Sequence, residues 1–220
     1  MTSLKIDVHI HTTYSDSTAT VNDVIKVAKK KGLDGVVITD HDTIDGAKEA
    51  TSKASKLIII PGEEVATIKG HILALGINEP ISKWLPPENA ISRIHKQNGL
   101  AVIPHPTFPF VDKLPRKEIS NLPINGIEVF SAATPLAWHY FRRGLALARD
   151  MGLPILAGSD SHFAETVGDA YTIVYAEDKE ASSILKAIKQ GRTDVGCRPS
   201  KLIYKVRMIK NMGLGLLHFR

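Results

Sequence analysis

Apolar runs recur along the chain at residues 4–10, 35–40, 56–62, 70–76, 100–105, 126–131, 153–160 and 170–176, separated by glycine, proline or charged residues. Most are nearly continuous in Val, Ile and Leu, the pattern of strands covered on both faces. Between them, apolar positions return at helical spacing. Over residues 20–31, Val21, Val24, Ile25 and Ala28 share one face, and Gly32 marks the stop. Residues 86–99, 135–152 and 177–191 read the same way. Strand–helix alternation predicts a parallel α/β architecture, and the number of repeats suits a barrel better than a short open sheet. The runs on either side of Lys69 and Gly70 follow each other closely, so a local hairpin is expected there.

Polar residues punctuate these runs at particular places. In "IDVHIHTTYSD" (6–16), strand alternation predicts that Asp7, His9 and His11 point one way while Ile6, Val8 and Ile10 point the other. Six of the nine histidines lie at or just beyond a strand end: His9, His11, His41, His71, His105 and His162. His71 opens its strand, and the hairpin would return it to the same end. Carboxylates accompany them at Asp7, Asp16, Asp40, Asp42, Glu63, Glu64 and Asp160. A parallel barrel gathers the carboxyl ends of its strands at one rim, where chemistry is built. Imidazole and carboxylate with almost no thiol suit Zn, Mn or Fe, not an iron–sulfur cluster.

Composition changes this picture little. At 220 residues, 43% hydrophobic and 23% charged, the chain can bury an ordinary core. We expect one domain overall, with a barrel over residues 1–191 and a basic, irregular C-terminal extension over 192–220 packed on it. A single cysteine, Cys197, excludes an intramolecular disulfide. No apolar run approaches a membrane span, and charged residues from Lys5 onward argue against a signal peptide, so a cytoplasmic location is expected. The net charge of +5 is compatible with an anionic partner and equally with a plain solvated surface.

The motifs "DVHIHTTYSD", "ITDHDT", "PGEEV", "HILALG", "PHP" and "GSDSH", in that order, resemble the PHP (polymerase and histidinol phosphatase) family. With "GDAYT" and "GRTDVGCRPS" the resemblance spans nearly the whole chain. It implies a distorted (β/α)7 barrel with a short C-terminal extension, holding up to three divalent metal ions (Zn, Mn or Fe). His9 and His11 would hold the first ion with Glu64 and Asp160. Glu64 would bridge to a second ion that also takes His71 and His105. Asp16, His41 and His162 would hold the third. Glu64 is chosen over Glu63 because the family carries its glutamate two residues after the glycine of "PG", and alternation points the pair to opposite faces.

The remaining polar residues get separate readings. Asp7 fits a place one layer behind the ligands, accepting a hydrogen bond from an imidazole N–H. Asp40 fits the same role or a cap of the following turn. Asp42 or Thr43 is expected as the N-cap of the next helix. Glu128 fits the mouth or a structural salt bridge. His95, His139 and His218 are expected not to be ligands. Family and site imply hydrolysis of a phosphate ester (phosphomonoester, nucleotide or short oligonucleotide) by a metal-activated hydroxide, with Asp160, His162 and Glu64 as catalytic residues. The loop "HPTFPF" carries no arginine where relatives commonly have one. Arg198 is then the preferred phosphate holder, ahead of Arg142, Arg143, Arg192 and Lys201. The expected partner is a phosphorylated small molecule or nucleotide, with nucleic acid also open, no membrane, and the oligomeric state left open. Two alternatives stand beside this: a non-catalytic PHP-like RNA-binding scaffold, and an amidohydrolase, which usually needs a strand-end lysine that this chain lacks.

Overall fold

The computed structural model describes residues 1–53, 56–108 and 114–208. The chain begins with β1 (Thr2–Ile10), α1 (Val21–Lys30), β2 (Gly35–Ile38), α2 (Asp45–Lys53) and β3 (Ile58–Thr67). Thr20 starts α1 through a reciprocal capping box, its hydroxyl accepting the Asp23 N–H at 3.2 Å while the Asp23 carboxylate accepts the Thr20 N–H at 3.1 Å. The expected face of α1, Val21, Val24, Ile25 and Ala28, is the buried one. Strands β1, β2 and β3 pair in parallel.

A hairpin then reverses the chain. Strand β4 (Gly70–Leu75) runs antiparallel to β3, with Thr67 opposite Gly70 and Ala66 opposite His71. The parallel order resumes after α3 (Pro87–Lys96), with β5 (Leu100–Ile103), α4 (Arg116–Ile119), β6 (Gly126–Ser131), α5 (Ala137–Met151) and β7 (Ile155–Gly158). The carboxyl end of β7 returns to β1: the Asp160 N–H donates to the His9 carbonyl at 2.8 Å, and the His11 N–H to the Ser161 carbonyl at 3.0 Å. Seven strands thus form a nearly closed, distorted (β/α)7 barrel in which β4 is reversed. Leu4, Ile6, Val8, Val37, Ile60, Leu73, Val102 and Leu156 fill one apolar cluster; Val24, Ala28, Val36 and Ile38 belong to another, beneath α1.

Two departures from the sequence reading matter. The strand expected at 170–176 is present as β8 (Ala170–Ala176), but it runs antiparallel to β1. Only a 3₁₀ turn over Ala164–Thr166 lies between β7 and β8, too little for a parallel crossover. After α6 (Ala181–Lys189), β9 (Thr193–Cys197) pairs antiparallel with β8. Residues 202–208, beyond it, are helical.

The second departure is in β1. Opposite Val36 and Ile38, the register slips by one residue between Asp7 and Ile10. Such a bulge breaks the alternation and re-aims side chains. Asp7 therefore lies on the side of Val36, under α1, and does not share a face with His9 and His11. Among the described residues, no helix is long and apolar enough to cross a membrane.

Candidate metal centre

Strand ends bring His9, His11, His41, His105, His162, Asp16, Glu64 and Asp160 to one mouth. The rings of His9 and His11 lie 5.1 Å apart; His11 is 4.6 Å from His41 and 4.3 Å from His162, and His9 is 5.8 Å from His105. Three sets of ligand atoms fall within 4.8 Å of one another: His9, His11 and Glu64; His9, His105 and Asp160; His11, Asp16, His41 and His162. His71 sits beside His41 at 5.4 Å and enters none of these sets.

The hydrogen bonds fix which nitrogen of each ring faces the cluster. The Glu128 carboxylate can only accept, so the His9 Nδ1–H at 3.1 Å donates to it. That leaves the His9 Nε2 lone pair aimed at Glu64 Oε2, 3.2 Å away, and at His11 Nε2, 3.1 Å away. The His11 Nε2 is also 3.2 Å from Glu64 Oε2, and its buried Nδ1 has no hydrogen-bond partner. His162 repeats the arrangement, with Nδ1–H donating to the Asp160 carbonyl and Nε2 facing the Asp16 carboxylate at 3.1 Å. Imidazole nitrogens and carboxylate oxygens converging at such distances are joined either by shared protons or by a cation bound between them. Donor atoms about 3.1–3.2 Å apart suit ligands that each lie about 2.0–2.2 Å from one ion.

The electrostatics follow the same convergence. Burial opposes charge on His9, yet Glu128, Asp160 and Glu64 outweigh it and hold the imidazole well above its usual range. His11 is likewise buried, and Asp160 and Glu64 push it up to about 10. Despite burial, the surrounding imidazoles hold Glu64, Asp160 and Asp16 below the usual carboxylate range. His41 is shifted down, chiefly by burial. A divalent ion would take the place of these protons.

Backbone strain marks two of the clustered residues. His105 and Asp160 have φ of +28° and +52°, a left-handed region that non-glycine residues seldom occupy. Gly158 permits the packing behind them: a Cβ there would lie 2.4 Å from the His9 Cβ and 2.8 Å from Glu128 Oε1.

The supporting residues correct several expectations. Asp7 does not orient an imidazole; its carboxylate accepts the backbone N–H groups of Ser159 at 2.9 Å and Gly168 at 2.8 Å, and burial raises it to about 6. The imidazole-orienting carboxylate is Glu128, which also accepts the His105 backbone N–H at 3.1 Å. Asp40 neither touches an imidazole nor caps the turn. It accepts from the Thr12 N–H (2.6 Å) and the Thr12 and Ser15 hydroxyls (2.7 and 2.8 Å), so it braces the loop that presents Asp16. Asp42 accepts the Ala66 N–H, and the Thr43 hydroxyl accepts the Asp45 N–H at the start of α2. Glu63 faces away from the cluster, accepting the Ile81 N–H at 2.8 Å. His95 bonds Asn125 and His139 lies on α5, both outside the cluster; His218 lies outside the described residues.

Among the described residues lining the two mouth cavities, none is an arginine. Arg198 is exposed and pairs with Asp169, which also takes Lys31 and the Ser200 hydroxyl. Arg142 and Arg143 are exposed on α5, Arg192 pairs with Glu177, and Lys201 is exposed. The mouth cavity, about 80 Å³, is walled by Phe108, Pro135 and Met208 above His41, Glu64 and Asp160. An adjoining cavity shares Asp160, His162 and Met208 with it and adds Tyr204 and Lys205. Sequence reasoning missed Lys205, Met208 and Phe108, because no periodic signal ties the tail or the loop after His105 to the rim.

Fold and site define a barrel protein with a histidine–carboxylate centre suited to divalent cations. A PHP domain signature matches residues 7–100, and a PHP-associated signature matches residues 138–193. The chain belongs to the PHP family. An uncharacterized protein of Methanocaldococcus jannaschii is 42% identical over 143 residues, covering 59% of this chain and 82% of the relative. The phosphoribosyl 1,2-cyclic phosphate 1,2-diphosphodiesterase of Eggerthella lenta is 33% identical over 81 residues, 33% of this chain and 31% of that protein. The crystal structure of a two-domain protein from Bacteroides vulgatus, containing a predicted PHP-like metal-dependent phosphoesterase, superposes with a TM-score of 0.77 at 19% identity, covering 90% of this chain and 65% of that one.

Proposed function

We propose that this chain is a metal-dependent phosphoesterase whose centre is built from His9, His11, Asp16, His41, Glu64, His105, Asp160 and His162, with His71 beside His41 at its edge. The observation that carries this reading is the convergence of imidazole lone pairs and depressed carboxylates on the same points, within a family that includes phosphodiesterases. Zn, Mn or Fe fits the donor set. Bound there, such ions supply Lewis acidity toward a phosphoryl oxygen and an activated water.

The chain's own residues prepare that chemistry. Glu128 fixes the tautomer and orientation of His9. Asp40 holds the loop that carries Asp16, and Asp7 anchors the backbone around Ser159, next to Asp160. The Ser131 hydroxyl donates to Asp160 Oδ2 at 3.0 Å, leaving Oδ1 toward His9 and His11. His162 stands at the cavity wall with its Nδ1–H held by the Asp160 carbonyl, which orients the ring toward the centre. The small mouth takes the reacting phosphoryl group, and a larger alcohol must extend past Phe108, Pro135 and Met208. A phosphorylated small molecule, a nucleotide or a nucleic acid end meets that requirement.

The test is turnover of bis(p-nitrophenyl) phosphate and p-nitrophenyl phosphate by purified protein loaded with Mn²⁺ or Zn²⁺. The reading predicts hydrolysis that is lost on chelation and lost in His9→Ala. Metal-loaded protein that turned over neither ester, nor any nucleotide or oligonucleotide in a panel, would exclude it.

A further inference from the structure

Among the described residues, the two adjoining cavities at the mouth contain one lysine and no arginine: Lys205. It stands on the helical residues 202–208 of the basic tail. The tail is pinned at this place by several contacts. The Ser200 N–H donates to the Ala132 carbonyl at 3.0 Å, and its hydroxyl to Asp169 at 2.9 Å. Tyr204 packs on Phe163 at 5.7 Å, and the Arg207 guanidinium lies 4.6 Å over the same ring.

Lys205 is half-buried, and its Nζ donates to the Thr134 carbonyl at 2.6 Å. Thr134 itself lines the mouth cavity. Among the described residues, no carboxylate lies within ion-pair distance of the ammonium, unlike Arg198, which Asp169 claims. An ammonium has three donors, and the carbonyl uses one. A desolvated cation with donors to spare, beside a phosphoryl-sized cavity, gains most from an anion.

We propose that Lys205 binds the phosphoryl group of the substrate from the side of the mouth facing the C-terminal tail, opposite the histidine–carboxylate cluster. The tail then completes the active site, and the substrate class is one whose reacting phosphoryl group keeps a free anionic oxygen directed at Lys205. This assignment rests on the phosphoesterase reading above, but it can be tested apart from it.

The experiment is calorimetric titration of inorganic phosphate into Mn²⁺-loaded full-length protein, comparing wild type, Lys205→Met and Lys205→Arg. Loss of a charge-assisted hydrogen bond predicts that Lys205→Met binds phosphate about tenfold or more weakly, while Lys205→Arg stays within about threefold of wild type and manganese content is unchanged in both. With p-nitrophenyl phosphate, the same loss should appear in KM more than in kcat. Equal phosphate affinity in wild type and Lys205→Met, no phosphate binding by wild type, or loss of manganese from Lys205→Met would each overturn the assignment. Phosphate binding that depends on Lys205 without turnover of any ester would count against the hydrolase reading alone.

Discussion

The two ends of the barrel make an instructive pair. At the amino ends of β3 and β5 lies a groove of about 630 Å³, lined by Ile60, Gly76, Leu100 and Leu185 with His95, Gln97 and Asn125. Its His95 and Gln97 side chains are already engaged: His95 Nε2 bonds Asn125 at 2.8 Å, and the Gln97 carbonyl accepts two backbone N–H groups at 2.9 Å. At the other end the cavity is far smaller, yet imidazoles and carboxylates converge there in three sets whose ligand atoms lie within 4.8 Å of one another. Volume does not mark the chemistry of this molecule. Convergence of metal-ligating side chains does.

The largest effect that would break or sharpen this contrast comes from exchanging a histidine at each end. His11→Ala should remove manganese binding and phosphoester turnover by more than the 10–100-fold typical of losing an orienting partner. His95→Ala should leave both unchanged; if the two variants behaved alike, the contrast would be void. One step down, Glu128→Gln weakens the hold on the His9 ring and should lower metal affinity about tenfold with little change in fold, read by competition with a metal indicator.

A third effect, on stability and not on metal binding, distinguishes two adjacent residues of β3. Glu64 faces the cluster, whereas Glu63 is buried behind it, and burial raises its carboxyl from 4.5 to about 7. Below pH 4.5 both folded and unfolded chains hold this proton. As pH rises from 4.5 to 7 the unfolded chain releases it first, so stability falls, and above pH 7 the full cost is present. Glu63→Gln should therefore stabilise the protein at pH 8 by on the order of 2–3 kcal/mol, with the gain vanishing near pH 4.5. Thermal unfolding at the two pH values reads this directly; a gain of equal size at both would contradict the assignment.

Much of this was legible in the chain. Runs of Val, Ile and Leu located the strands, and the carboxyl ends of strands located the histidines, because covered strands and rim chemistry both leave local marks. The side chain of Asp7 was not legible, since the bulge that turns it away is set by pairing with β2 and closure against β7. The reversal of β8 had a local sign, the missing helix between Gly158 and Ala170, but the apolar run itself says nothing of direction. Arg198 and Lys205 lie seven residues apart in the same basic tail. Only the anchoring of Ser200 and Tyr204 decides which one reaches the mouth.

The central claim is that one end of this barrel binds divalent cations through side chains drawn from five strands. A crystal of metal-stripped protein soaked in Mn²⁺, with anomalous scattering recorded at the manganese edge, addresses it most directly. The account predicts peaks bonded to His9, His11 and Glu64, with further peaks at His105 and Asp160 or at His41 and His162. Anomalous density absent from the mouth at saturating manganese, or confined to the groove at the opposite end, would contradict it.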